Sequence, residues 1–257
     1  FTKSNFKKKE FQLLLIVFFL LLIALYGFKT HDDFPYYHFP YTNFLTKSDI
    51  IIGIGNYDHG WRTPSSIFYF NSLFYLPLIT HHLFHIGASL IMGFSLVSLS
   101  IEAYKKVLSN RIDITFYFKL LSLVFILIFF YRISEHGTDR SAQILILLLF
   151  IYLFEIFENK KNEKIDLFFI SILFTLIVSL KSFYFLYILL LIPLFYFILQ
   201  RNKSLSLTLK LFFTKNYSLY STLLILLILL SYFVNTGCLL YPVSFTCFEN
   251  FAWSIPT

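Results

Sequence analysis

Long apolar runs recur along the whole chain, and they constrain its fold more than any other feature. A helix needs about 20 residues to cross about 30 Å of hydrocarbon, and several runs approach that length. With 58% hydrophobic and only 14% charged residues, a water-soluble fold of 257 residues would expose large apolar patches. The sequence therefore predicts an all-α fold, a polytopic bundle of transmembrane helices.

Seven membrane spans are predicted within a single transmembrane domain, residues 1–257. The fifth and sixth spans are short and meet at Lys181-Ser182, where the chain forms either a tight helical hairpin or one long kinked helix. The hairpin places four basic clusters on one side of the membrane, as the positive-inside rule requires of the cytoplasm. The predicted spans are 11–28, 78–100, 114–131, 142–157, 166–180, 183–200 and 218–234.

The charges divide unequally between the two sides of this topology. Of the 21 Lys and Arg residues, 15 fall on the cytoplasmic side and six on the other, while the 14 acidic residues divide seven and seven. The net charge of +7 therefore reflects orientation in the membrane, and we expect no nucleic-acid partner. No small-residue cleavage site follows Phe28, so the first apolar run is a retained anchor.

The amino-acid composition also indicates the kind of organism and membrane in which the protein lies. Phe, Ile, Leu, Tyr and Lys are abundant while Ala and Gly are scarce, which is typical of an AT-rich genome. We expect an integral protein of a bacterial inner membrane with a cytoplasmic N-terminus. Because the chain begins with Phe1 and ends just beyond an exoplasmic segment, it is expected to be a fragment of a longer protein.

Distinctive residues concentrate on the exoplasmic side, in the loop 29–77, the turns between spans and the tail 235–257. All seven histidines, six of seven prolines and both cysteines lie there or in the outer half of a helix. Cys238 and Cys247 are nine residues apart, and in an oxidising compartment they are expected to form a disulfide, two unpaired thiols being the alternative.

The first exoplasmic loop is too aromatic to be disordered. An apolar segment at 50–55 and a helix over 64–76, capped by Ser65 or Thr63, are expected to lie at the membrane interface. Most of its aromatic side chains are explained by an ordinary interfacial belt. A loop of this length between two spans is nevertheless more often functional than decorative.

Two adjacent carboxylates, Asp32 and Asp33, stand at the mouth of the first span. An ionisable group near hydrocarbon is costly, so such residues tend to mark a site for an ion, a proton or a polar substrate. Neighbouring carboxylates raise one another's pKa when they are close, which favours a proton acceptor. Successive side chains need not point the same way, so we expect only one of the two to be catalytic, with Asp32 slightly preferred over Asp33.

Three short motifs resemble the GT-C superfamily of integral-membrane glycosyltransferases, which use polyprenyl-phosphate sugars. The stretch DDFPYY at 32–37 is similar to the acidic motif in the first loop of that family. TPSSIFY at 63–69 resembles its Pro-rich helix start, without the usual paired prolines. NTGCLLYP at 235–242 resembles a Gly-x-x-x-Tyr-Pro segment of related bacterial membrane proteins.

The resemblance implies transfer of a sugar from a polyprenyl-phosphate donor, with Asp32 or Asp33 as general base toward an acceptor hydroxyl or amine. Membrane lipid is a further expected partner, and the sugar and acceptor stay open. The lipid-linked phosphate requires cations outside the membrane, and Arg140 and Lys181 lie at helix mouths there. The expected substrate-binding residues are His31, Tyr36, Tyr37, Arg62, His136, Arg140, Lys181 and Tyr241.

Each of these cations also has a simpler explanation. Arg140 could form a local salt bridge with Asp139 or Glu135, and Lys181 could extend to the interface. His81 and His85 are spaced i and i+4, so on one helix they could share a metal, although hydrogen bonds to headgroups or to the first loop are the more ordinary explanation. We assign no metal site, and a divalent cation, Mg²⁺ or Mn²⁺, remains an open alternative.

Two other classes of function remain open. A transporter would use Asp32, Asp33 and Lys181 to line a polar pathway, yet its helices should carry polar or broken segments at the bilayer midplane, and the runs here are nearly pure Leu, Ile and Phe. A noncatalytic membrane assembly protein would need no site at all. Convergence of Asp32, Arg140 and Lys181 in one exoplasmic cavity would favour the enzyme.

Overall fold

The computed structural model describes residues 8–26, 33–129, 138–158, 163–213 and 216–255. Within these ranges the regular structure is helical, apart from two isolated β-bridges, Leu76 with Thr80 and Cys238 with Cys247. The all-α prediction is confirmed for this part of the chain. His31, Asp32 and His136 lie outside the described residues.

Within the described ranges, ten α-helices form the framework, and shorter 3-10 or π-helical segments connect several of them. The longest of these connecting segments is the 3-10 helix Ser182–Leu190, which leads directly into α8. The helices are α1 Lys8–Tyr26, α2 Phe39–Leu45, α3 Ser66–Ser72, α4 Ile86–Leu108, α5 Ile114–Phe129, α6 Thr138–Glu158, α7 Glu163–Leu180, α8 Leu191–Asn202, α9 Leu205–Phe213 and α10 Asn216–Thr236.

Several helices are apolar around their whole circumference, which is typical of a membrane protein. In the described part of the chain, four helical segments are long and apolar enough to cross a bilayer, and Ile114–Phe129 and Asp166–Leu180 are shorter apolar helices. The four segments are His81–Leu108, Thr138–Glu158, Ser182–Asn202 and Ser218–Thr236. The chain is therefore a helical membrane protein.

The antiparallel pair α6 and α7 forms the centre of the bundle. Ile144, Ile151, Ile170 and Ile177 are buried along this pair. Helix α4 packs against α6 and also against α1 and α5, while α10 packs against α7. Because α5 and α10 keep many exposed Leu, Ile and Phe side chains, their outer faces suit contact with lipid.

The chain reverses direction at Lys181, as the hairpin alternative requires. Lys181 has an extended backbone, with φ −154° and ψ 117°, immediately after α7. The rings of Phe174 and Phe185 lie 6.2 Å apart on opposite sides of this break. In one continuous helix these residues would be separated by about 16 Å along the axis.

The second predicted span, 78–100, is displaced in the structure. Helix α4 begins only at Ile86, because Thr80 has a positive φ of 55° and His81–Leu83 form a 3-10 turn. It continues to Leu108, past the charge at Glu102 where the apolar run ends. The Glu102 carboxylate is neutralised by Lys119 at 2.7 Å, which lets the helix carry it inside the bundle.

The helix predicted over 64–76 is shorter than expected, spanning Ser66–Ser72 as α3. Ser65 occupies the N-cap position but makes no side-chain capping bond. Its hydroxyl instead donates a hydrogen bond to the carbonyl of Leu180, at 2.7 Å, which ties the loop to the end of α7. The predicted capping role of Ser65 is therefore wrong. Its hydroxyl donates to the Leu180 carbonyl and accepts no hydrogen bond from the first turn of α3.

Contacts divide the bundle into two ends. The loop end contains residues 33–85, the start of α6, the turn at Lys181 and the tail 235–255, which are joined by hydrogen bonds such as Gly53 N–H to the Val234 carbonyl at 2.7 Å. The basic end contains ion pairs between Lys105 and Glu10 at 3.5 Å and between Lys106 and Asp113 at 2.6 Å.

Candidate functional site

The first loop places Asp33 and Tyr37 one turn apart on a continuous helical segment that includes the π-helix Phe34–His38. The Tyr37 hydroxyl donates a hydrogen bond to Oδ2 of Asp33, at 3.2 Å. The side chain of Tyr37 packs directly on Gly60, where a Cβ would collide with its ring. Single π-helical turns inside α-helices are often found at functional sites.

Lys181, directly after α7, and Asp139, in the first turn of α6, form a second pair at the loop end. The Lys181 ammonium donates to Oδ2 of Asp139 at 2.5 Å, and the Tyr184 hydroxyl lies 3.5 Å from Oδ1. Burial raises the pKa of Tyr37, and the charges of Asp33 and then Asp139 raise it further. Asp33 with Tyr37 and Lys181 with Asp139 thus form two hydrogen-bonded pairs at the loop end, and we call these four residues the carboxylate cluster.

A large apolar cavity of 820 Å³ runs from the loop end into the bundle. Its mouth is lined by Pro64, Ser66, Ser179 and Leu180, and its far end by Tyr152 and other residues nearer the basic end. The lining of α7 alone, from Leu180 to Phe169, extends for about 16 Å. Because Leu180 directly precedes Lys181, the Lys181–Asp139 pair lies next to this end of the cavity.

The cavity offers few free polar groups. Ser66 and Ser179 hydrogen-bond to each other at 2.8 Å across its mouth. Ser95, Thr175 and Ser231 each donate to a carbonyl of their own helix. The hydroxyls are therefore satisfied internally, and the cavity suits an apolar chain of ligand size.

Arg140 points away from the carboxylate cluster. Its Nη1 donates to the carbonyl of Phe129 at the end of α5, at 3.2 Å. Of the two acids expected to pair with Arg140, Asp139 pairs with Lys181 instead, and Glu135 lies outside the described residues. Lys181 in turn does not simply extend to the interface. The structure therefore pairs Lys181 with Asp139, while Arg140 bonds to a different helix.

Arg62 and Tyr241 meet where the first loop packs against the tail. The guanidinium donates from Nη1 to the Tyr241 hydroxyl at 3.3 Å, and its Cζ lies 5.9 Å from the centre of the Tyr241 ring. Cys238 and Cys247 are joined by a disulfide on either side of Tyr241. Tyr36, another of the expected substrate-binding residues, has 73% of its surface exposed.

The three histidines near α4 do not share one helix. His81 and His82 belong to a 3-10 turn and stack on each other with ring centres 4.5 Å apart, while His85 precedes α4. The ring of His85 stacks on Phe34 instead. Among the residues that the structure describes, no group of three or more His, Cys, Asp and Glu side chains is arranged to hold a metal ion.

An ion cluster inside the basic end was missed by sequence reasoning. Lys119 is 2% exposed and lies 2.7 Å from Glu102 and 2.5 Å from Glu155. The Tyr152 hydroxyl, at the far end of the cavity, donates to Glu102 at 3.5 Å. The only available signal was that these charges lie within helical runs, and an intramembrane charge implies a partner.

The fold and site define a helical membrane protein with a carboxylate cluster beside a deep apolar cavity. A family model described as "Domain of unknown function (DUF8201)" matches residues 1–257, so the chain belongs to that family. No curated protein and no solved structure matches the chain.

Proposed function

We propose that this protein is a membrane glycosyltransferase that moves a sugar from a polyprenyl-phosphate donor to an acceptor on the exoplasmic face. The observation that carries the proposal is the Lys181–Asp139 pair of the carboxylate cluster beside the apolar cavity. A lipid-linked sugar needs an apolar site for its chain and a cation for its anionic phosphate, and the cavity and Lys181 offer these two parts. The cavity volume of 820 Å³ lies in the range typical of ligand sites.

In the proposed reaction, Asp33 acts as general base. An acceptor hydroxyl attacks the anomeric carbon of the donor sugar and gives its proton to the Asp33 carboxylate. The bond between that carbon and the phosphate oxygen breaks, and polyprenyl phosphate leaves with the electron pair. The protonated Tyr37 hydroxyl holds the Asp33 carboxylate in place, so Tyr37 is a positioning residue.

Lys181 would bind the departing phosphate. An ammonium has three N–H donors, so it can keep its bond to Asp139 while it contacts a phosphate oxygen. The Lys181 side chain is 44% exposed and is therefore accessible from the loop end. The positive charge stabilises the leaving group as its negative charge develops.

Mg²⁺ and Mn²⁺ do not fit the carboxylate cluster well. Hard cations need several oxygen ligands, and among the described residues of this cluster the carboxylates are those of Asp33 and Asp139. Asp139 is already neutralised by Lys181, and Asp33 receives the Tyr37 hydroxyl. The proposed reaction is therefore written without a metal.

The proposal includes a topology of seven spans in a bacterial inner membrane, with the basic end in the cytoplasm. It adds α1, α5 and α7 to the four long segments. Lysines and arginines favour the cytoplasmic side, and the basic end carries Lys105, Lys106 and Lys119. Accessibility labelling of single cysteines at positions 50, 105 and 181 tests it, since a label reaching position 181 only from the cytoplasm would contradict this orientation.

The activity test is consumption of undecaprenyl-phosphate glucose by membranes that contain the full chain. Asp33→Asn should lower turnover by roughly 10²–10⁴-fold with little change in donor binding. Lys181→Met should also weaken donor binding. Asp49→Asn and Lys47→Met are matched controls, because both residues are exposed on the same loop.

Asp32 is tested in the same assay, because it adjoins Asp33 and stands as the alternative base. Full activity of both Asp33→Asn and Asp32→Asn in folded protein would reject the assignment of the base. A wild-type chain that consumes no lipid-linked sugar would favour the assembly protein or the transporter instead. Uptake of a solute into vesicles containing the protein would then separate these two.

A further inference from the structure

The guanidinium of Arg62 is held in a fixed orientation between the loop and the tail. Nε donates to the carbonyl of Gly55 at 3.1 Å, and Nη1 donates to the Tyr241 hydroxyl at 3.3 Å. The Tyr241 ring adds a cation–π contact with the same group. Arg62 is half-buried, so its charge is only partly hydrated.

No carboxylate of the described residues forms an ion pair with Arg62. Lys181, at the same end of the bundle, is by contrast paired with Asp139. A guanidinium has five N–H donors, and the two bonds above use two of them. The remaining donors form the planar edge that binds phosphate and carboxylate groups.

The surroundings fix this geometry. A Cβ at position 55 would lie 2.8 Å from the carbonyl oxygen of Asn235 and 3.3 Å from Cγ of Arg62, so only glycine allows the approach. The Asn235 amide also donates to the carbonyl of Trp61, at 3.3 Å. The disulfide from Cys238 to Cys247 encloses Tyr241 in a short loop. Arg62 is therefore preorganised before any ligand arrives.

We propose that Arg62 and Tyr241 form an oxyanion-binding site that holds a phosphate or carboxylate group of the acceptor. The 3-10 helix His59–Arg62 connects this site to the carboxylate cluster, because Gly60 of the same helix packs on Tyr37. An acceptor held at Arg62 would thus lie beside Asp33, while the donor phosphate stays at Lys181. Assignment to the acceptor rests on the proposed function, whereas the anion site itself does not.

Binding of inorganic phosphate to the full chain in phosphatidylcholine nanodiscs tests the site, measured by calorimetry. Arg62→Gln should weaken binding by about 10-fold or more, because a charge-assisted hydrogen-bonded pair is lost. Arg62→Lys keeps the charge without the planar fork and should bind less tightly than wild type. Tyr241→Phe, which removes one orienting bond, should give a smaller loss, and Lys47→Gln should give none.

Thermal melting identifies any variant that fails to fold. If Arg62→Gln does not fold, Tyr241→Phe and Arg62→Lys test the site instead, since each removes only part of it. Equal phosphate affinity in wild type, Arg62→Lys and Tyr241→Phe would overturn the anion site. Loss of wild-type phosphate binding in nanodiscs containing phosphatidylglycerol would show that a lipid headgroup occupies Arg62, and would overturn the acceptor assignment.

The two proposals fail separately. A wild-type chain that consumes undecaprenyl-phosphate glucose but binds no phosphate would reject the anion site alone. A wild-type chain that binds phosphate through Arg62 but consumes no lipid-linked sugar would reject the glycosyltransferase and, with it, the assignment of the anion to an acceptor.

Discussion

The ammonium of Lys181 lies 2.5 Å from the carboxylate of Asp139, which joins the end of α7 to the start of α6. Both side chains are 44% exposed, and exposed ion pairs contribute at most about 1 kcal/mol to stability. The pair therefore contributes little to the stability of the fold. Its position at the mouth of the cavity makes it more relevant to ligand binding.

Lys181→Met is accordingly predicted to change stability by less than about 1 kcal/mol while it weakens binding of a lipid-linked phosphate. Thermal melting and donor binding measured on the same preparation separate the two effects. Asp139→Asn serves as the matched variant, because it breaks the same pair and leaves the cation in place. A large loss of stability in Lys181→Met would contradict this prediction.

Lys119→Met is predicted to destabilise the protein by about 1–3 kcal/mol, because it leaves the half-buried carboxylates of Glu102 and Glu155 without their counterion. Lys105→Met is the control, since Lys105 is 65% exposed and its pair with Glu10 spans 3.5 Å. That variant should lose less than about 1 kcal/mol. Unfolding in detergent, followed by circular dichroism, measures both.

Tyr41 is predicted to matter more for stability than Tyr69, its hydrogen-bond partner at 2.9 Å. Tyr41→Phe would remove the nearer of two acceptors of the buried Asn235 amide, which lies 2.8 Å from the Tyr41 oxygen, at a cost of about 1–3 kcal/mol. In Tyr69→Phe the Tyr41 hydroxyl keeps Asn235, so the loss should be smaller. Equal losses in the two variants, by thermal melting, would show that Asn235 finds another acceptor.

Local sequence signals predicted the helices well, because each apolar run and each basic cluster acts on its own segment. The charge distribution also identified the reversal at Lys181. Contacts between distant segments left no such signal, since Arg62 meets Tyr241 across 179 residues and Tyr41 meets Asn235 across 194. The cavity likewise depends on the packing of several helices, which hydropathy does not encode.

Charged residues illustrate the same limit. The structure buries Lys119 between Glu102 and Glu155, which lie on two other helices that the sequence does not link to it. Arg140 and Lys181 looked equivalent as isolated cations at helix mouths. Only the packing of α6 against α5 and α7 directs Arg140 to the Phe129 carbonyl and Lys181 to Asp139. Asp139 and Arg140, which are adjacent in sequence, therefore bind partners at the ends of different helices.

The pH dependence of stability should report on Tyr37. Burial, the Asp33 charge and hydrogen bond, and the Asp139 charge all raise the pKa of Tyr37 above its ordinary value of 10.0. The folded protein thus holds this proton more tightly than the unfolded chain does. The resulting stabilisation is complete below pH 10.0 and is lost as the pH rises through the folded-state pKa.

Tyr37→Phe cannot titrate at this position, so the comparison with wild type isolates the effect. The other tyrosines are common to both proteins and cancel in the difference between their free energies of unfolding. We expect this difference to stay constant from about pH 7 to 9 and to shrink above the ordinary tyrosine pKa of 10.0. A difference that does not change with pH in denaturant titrations on the alkaline side would show that Tyr37 is not held protonated beside Asp33.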